Sequence, residues 1–195
     1  MPENRTIEHH PLPPFLPEGA KVLMLGSFPP PRSRWAMEFF YPNIQNDMWR
    51  IMGLVFFGRR DHFVEGKSFD RERIVAFCTA TGIALSDTAQ AVVRHGGNAS
   101  DALLEVVERL DLAALLARIP LCHNIVTTGQ KATDTLMEII GGTQPVPQTG
   151  GSTKVSFAGR ELTLWRMPSS SRAYPLPLER KAEAYRQMFL VVSNQ

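Results

Sequence analysis

Short unbroken apolar runs alternate along the chain with stretches of helical spacing. Lys21-Val22-Leu23-Met24-Leu25, stopped by Gly26, reads as a strand buried on both faces. Ile83-Ala84-Leu85, leading into Ser86-Asp87, and Asn124-Ile125-Val126-Thr127-Thr128, ended by Gly129, read the same way. Residues 153–157 and 161–166 flank Ala158-Gly159-Arg160 and predict a hairpin. Helical character runs over 47–57, stopped by Gly58, and over 70–80, closed by Gly82. It returns over 100–107, 111–118, 130–140 and 178–192. The first twenty residues, with Pro11, Pro13, Pro14 and Pro17, predict an extended arm laid on the surface. This alternation predicts an α/β fold: a three-layer α/β/α sandwich around a central, mainly parallel four-stranded sheet near 21–25, 83–86, 124–128 and 161–166.

In such sheets the working residues sit in loops leaving the carboxyl ends of the strands. Here those are residues 26–46, 86–98, 129–131 and 167–175. Gly26-Ser27-Phe28-Pro29-Pro30 is a rigid strand exit; its prolines lack donors, which leaves the Ser27 and Phe28 backbone N–H groups to face a ligand. The plain alternative is a sharp turn and nothing more. The next stretch, Phe39-Phe40-Tyr41-Pro42-Asn43-Ile44-Gln45-Asn46-Asp47-Met48-Trp49, interleaves aromatic rings with amides, a combination that suits a planar, hydrogen-bonding ligand such as a nucleobase. Equally, Asn46 or Asp47 is placed to cap the next helix, Met48 and Trp49 to enter the core, and Tyr41 to be a buried tyrosine with a satisfied hydroxyl. Pro168-Ser169-Ser170-Ser171-Arg172-Ala173-Tyr174-Pro175 combines hydroxyls and a cation fit for phosphate oxygens, although three serines before a proline are also ordinary turn chemistry.

Composition narrows the class. The 195 residues suit one domain, and 44% apolar with 21% charged residues is the balance of a folded rather than a disordered chain. A net charge of +2 excludes a histone-like protein but not a nucleic-acid enzyme whose positive charge lines one cleft. Cys78 and Cys122 cannot build a disulfide framework or a four-thiolate cluster and read as reduced thiols of a cytoplasmic protein. The N-terminal stretch lacks the apolar core of a signal peptide, and no run approaches the roughly 18 apolar residues of a membrane span. The five histidines show no metal-ligand spacing.

Taken together, the loops at 26–49 and 167–175 resemble the uracil-DNA glycosylase superfamily. Its mismatch-specific uracil/thymine branch carries a G-I-N-P-G turn, an aromatic stretch ending in N-x-F-W, and a later P-S-S-S-A-R loop. The matching segments are Gly26-Ser27-Phe28-Pro29-Pro30, Tyr41-Pro42 through Asn46-Asp47-Met48-Trp49, and Pro168-Ser169-Ser170-Ser171-Arg172-Ala173. The hypoxanthine-DNA glycosylase branch is similar in beginning its turn with G-S and in the segment Gly82-Ile83-Ala84-Leu85 followed by Asp87. The resemblance implies one domain over 1–195 that hydrolyses the N-glycosidic bond of a deaminated or mismatched base, uracil or hypoxanthine, flipped out of DNA. It implies a monomer that needs neither cofactor nor metal.

Carried over residue by residue, Asn46 is the catalytic candidate. Gly26, Ser27, Phe28 and Tyr41 form the base pocket, while Ser169, Ser170, Ser171 and Arg172 contact DNA. Arg172, with Tyr174, fills the gap left in the base stack. Asp87 and Asn98 are further candidates, each equally a turn or capping residue. The chain departs from the pattern in two places. Phe28 stands where the mismatch branch has a catalytic Asn, and Arg172-Ala173 reverses that branch's Ala-Arg. The iron–sulfur branches need four cysteines and are excluded. A catalytically weak or inactive DNA-binding protein of the same fold is the rival reading. An unrelated small-molecule hydrolase is a third, opposed by the lack of a G-x-G-x-x-G, a P-loop and a G-x-S-x-G elbow.

Overall fold

A computed structural model of the chain describes residues 5–96 and 100–195, so Asn98 lies outside the described residues. In chain order the strands are β1 (Ile7–His9), β2 (Val22–Gly26), β3 (Val64–Glu65), β4 (Ser68–Phe69), β5 (Ile83–Asp87), β6 (Ala89–Arg94), β7 (Leu104–Arg109), β8 (Asn124–Thr128), β9 (Ser152–Phe157) and β10 (Arg160–Met167). The helices are α1 (Met48–Phe57), α2 (Arg71–Thr81), α3 (Leu112–Arg118), α4 (Gln130–Ile140) and α5 (Leu178–Ser193).

The helix ends follow local chemistry. Asp70 and Asp111 accept the Arg73 and Ala114 backbone N–H groups at 3.0 Å each, capping α2 and α3. Gly58 and Gly82 close α1 and α2 in the left-handed conformation.

The main sheet has the order β5-β2-β8-β10-β9, with the first four strands parallel and β9 antiparallel at the edge. Every residue of β2, β5 and β8 is buried, as continuous apolar runs require when both faces are covered. Alternate side chains divide between two layers. Val22, Met24, Ile83 and Leu85 pack with residues of α1, α2 and α5, whereas Leu23, Leu25, Ala84 and Ile125 pack with α3 and α4.

Three expectations need correction. The main sheet has five strands rather than four, because β9 pairs in register with β10 from Ser152↔Trp165 to Arg160↔Phe157 and joins the sheet as its edge. Residues 100–107 are not a helix but a 3-10 turn, Asp101–Leu103, followed by β7. Leu104 and Val106 alternate toward a small cluster with Phe28, Ala89 and Val92, a period of two that a short apolar stretch does not distinguish from a helix. The loop expected over 86–98 contains β6, which joins β1 and β7 in a second, antiparallel sheet of order β1-β6-β7. The arm is therefore stitched in rather than merely laid on. Besides the β1–β6 pairing, Phe15 exchanges backbone hydrogen bonds of 2.9 Å with Leu85, the neighbouring edge of the main sheet.

Candidate functional site

The parallel strands β2, β5 and β8 end at a cavity of about 590 Å³. Gly26, Asp87 and Thr128 form its floor, being the last strand residues, or next to them, on three adjacent strands. Ser27, Phe28, Tyr41 and Asn46 line it, and the serine loop 169–172 faces them. All nine candidates therefore meet in one place, although Tyr41 and Thr128 stand 87 positions apart in sequence.

Gly26 is glycine for a steric reason: a Cβ there would lie 2.5 Å from Asp87 Oδ1. Among the described residues the Ser27 and Phe28 backbone N–H groups have no acceptor. The Phe28 ring packs on His10 (5.3 Å between centroids) and within the β6–β7 cluster, so only its backbone can offer the cavity a hydrogen bond.

Tyr41 sits at φ 52°, a left-handed conformation uncommon for a bulky residue. Its hydroxyl lies 3.1 Å from Thr128 Oγ1 and its ring meets Trp49 edge-on. Burial, reinforced by the Asp87 charge, raises its pKa well above the usual tyrosine range, against the Thr128 bond, so the hydroxyl stays neutral. Asn46 takes the capping part and also lines the cavity. Its Oδ1 accepts the Met48 N–H at 2.9 Å, capping α1, which directs its amide N–H₂ elsewhere; that group has no acceptor among the described residues. Asp47, by contrast, makes no capping bond with its side chain. Met48 and Trp49 are core.

The serine loop is held from beneath. Asp47 N–H donates to Ser170 O (2.8 Å), Lys181 Nζ to Ser171 O (2.8 Å), and Tyr185 Oη to Pro168 O (3.1 Å). Lys181 is 1% exposed and also pairs with Asp47 Oδ2 at 3.2 Å. Ser169 and Ser171 accept backbone N–H groups two residues on, which sets the loop's shape. Arg172 is half-exposed and lies 3.6 Å from Asp47; Arg34 also lines the cavity. Arg32, another basic residue of the first loop, is instead paired with Glu38 beside the Trp35 ring.

Three residues outside the sequence-based set shape the cavity. Lys181 carried a signal: a charge between Leu178 and Ala182 on the buried face of α5. His10 carried none. Its Nε2 lies 2.6 Å from Asp87 Oδ2, and its Nδ1 accepts the Leu12 N–H at 3.1 Å. Asp101 reaches the Ser27 hydroxyl; loss of water around its carboxyl and the Asp87 charge raise its pKa, against that hydrogen bond.

These features define a class: an α/β protein with a mainly parallel sheet and a polar, aromatic-walled cleft at the carboxyl ends of its strands. A solved structure shares this fold. It is the solution structure of a candidate uracil DNA glycosylase from Methanosarcina acetivorans, with a TM-score of 0.65 and 23% identity over 96% of this chain and 99% of that one. The likeness is one of fold. No protein-family model matches the chain, and no curated protein matches it in sequence.

Proposed function

We propose that the chain is a monofunctional DNA glycosylase that hydrolyses the N-glycosidic bond of uracil or hypoxanthine flipped out of DNA. The observation that carries this reading is the convergence of Gly26, Ser27, Phe28, Tyr41 and Asn46 with Ser169–Arg172 around one cavity of about 590 Å³, a size proper to a small-molecule site. The fold shared with a candidate uracil DNA glycosylase adds support. No helix among the described residues is long and apolar enough to cross a membrane, which is compatible with a partner in solution.

A base inside a duplex is out of reach, so it must leave the stack at a cost of a few kcal/mol. In the cavity Tyr41 stacks on it, and Asn46, its oxygen already used in capping α1, donates from its amide N–H₂ to a carbonyl of the base. The Ser27 and Phe28 N–H groups take a second carbonyl or the attacking water. The bond between C1′ and the base nitrogen breaks toward an oxocarbenium-like sugar and an anionic base. Water adds its oxygen to C1′ and its proton goes to the base. Donors fixed in advance stabilise the leaving anion, so the reaction does not depend on a side chain at position 28. Ser169, Ser170 and Ser171 contact flanking phosphates, and Arg172 enters the gap in the stack.

The test is base release from duplexes carrying uracil or hypoxanthine. Asn46→Ala should slow release about 10²–10³-fold while duplex affinity stays within a few fold. A wild-type protein that shifts the duplexes but releases neither base is a binding protein, and the enzymatic reading is then wrong. Full activity of Asn46→Ala removes Asn46 from the chemistry and leaves it as a helix cap.

A further inference from the structure

Asp87 is 7% exposed, lies on the cavity floor and uses only one of its oxygens. Oδ2 receives His10, whereas Oδ1 lies over the bare Cα of Gly26 and has no hydrogen-bond donor among the described residues. The Leu12 N–H fixes the His10 tautomer. Its Nδ1 accepts the Leu12 N–H, so the ring proton is on Nε2 and points at Asp87, and the rings of Phe28 and Phe40 pack against it. With its side chain 4% exposed, the imidazole holds the carboxylate at a fixed rotation. A fixed carboxylate oxygen open to a cavity and without a protein donor is ready to accept from a ligand.

From this geometry we infer that the His10–Asp87 pair selects the base. Asp87 Oδ1 accepts the ring N–H of a lactam or imide, and His10, delivered by the N-terminal arm, is its positioning residue. The inference rests on the base-pocket reading above and gives the pocket its chemical selectivity. An ionised carboxylate can only accept hydrogen bonds. Uracil at N3 and hypoxanthine at N1 present an N–H, whereas cytosine at N3 and adenine at N1 present a lone pair. Deamination thus converts a group that Asp87 repels into one that it binds. Thymine and guanine carry the same kind of N–H, so Asp87 does not distinguish them from uracil and hypoxanthine. The floor sets that limit because the base occupies the deepest part of the cavity, with the sugar and phosphates out toward the serine loop.

The experiment uses free bases, so its readout is independent of catalysis. Hypoxanthine, 1-methylhypoxanthine and adenine are titrated into the full chain and followed by ligand-observed NMR. Wild-type protein should bind hypoxanthine about 10–100-fold tighter than either of the others, the range for one hydrogen bond to a charged group. Asp87→Leu should erase this preference. His10→Phe, which cannot donate, should weaken it, and His10→Gln, which can, should restore it. The wild-type comparison stands even if a variant fails to fold. Equal binding of hypoxanthine and 1-methylhypoxanthine, equal binding of adenine, or no binding of hypoxanthine overturns the inference. Base release from DNA with no such preference leaves the glycosylase reading intact and removes Asp87 from selection. The preference without any release keeps the inference and removes the enzyme.

Discussion

Lys181→Met is the substitution whose cost the structure defines best. Lys181 Nζ donates to Asp47 Oδ2 at 3.2 Å and to Ser171 O at 2.8 Å, with its side chain 1% and that of Asp47 8% exposed. Methionine fills nearly the same volume without the charge, so the loss is electrostatic rather than a cavity. Stranding one partner of a buried pair costs about 3–5 kcal/mol. Arg172 remains 3.6 Å from Asp47 Oδ1 but is half-exposed, so it compensates only in part and the lower end applies. About 3 kcal/mol is roughly a hundredfold in the folding equilibrium and a large share of the 5–15 kcal/mol of an ordinary domain. Adding Asp47→Asn removes the stranded charge. The double variant should recover about 2 kcal/mol, leaving a loss near that of one neutral hydrogen bond. Urea unfolding at constant m-value measures both. A single variant within 0.5 kcal/mol of wild type, or a double variant as unstable as the single, refutes the assignment of a stabilising buried pair under the serine loop.

Arg34→Ala and Arg172→Ala should each lower the slope of log K for DNA against log salt by about one, read by fluorescence anisotropy; unchanged slopes would mean that neither touches phosphate. Burial pushes the Cys78 thiol up to about 12 and that of Cys122 up to about 11. The folded chain therefore keeps protons that the unfolded chain loses from about pH 9, and stability should fall as pH rises, by about 1.4 kcal/mol per thiol at pH 10. In Cys78→Ala/Cys122→Ala that decline between pH 8 and 10 should shrink by this amount in urea midpoints, leaving the smaller part due to the buried hydroxyls of Tyr41 and Tyr185, whatever the variant's stability at neutral pH. Gly26→Ala drives a Cβ to within 2.5 Å of Asp87 Oδ1, so it should destabilise by about 1–3 kcal/mol in thermal unfolding and weaken capture of the base. An alanine variant as stable and active as wild type would show that the carboxylate moves aside freely.

The amino-acid sequence by itself determined the frame. Residues 21–25, 83–86 and 124–128 read as buried strands because a predominantly apolar run is covered on both faces, and the structure places strands there; α2 begins and ends where Asp70 and Gly82 satisfy or release the backbone. The two chemically unusual loops were legible as well, since parallel strands deliver their carboxyl-end loops to one side. Tertiary structure alone decided the rest. Whether 104–109 is helix or strand depended on the presence of β6 and of Phe28 beside it. His10 and Asp87 lie 77 positions apart, and Asp47 and Lys181 lie 134 apart. A buried charge is tolerable only with a partner, and which residue partners it is set by where the folded chain brings its distant segments together, not by any spacing along it.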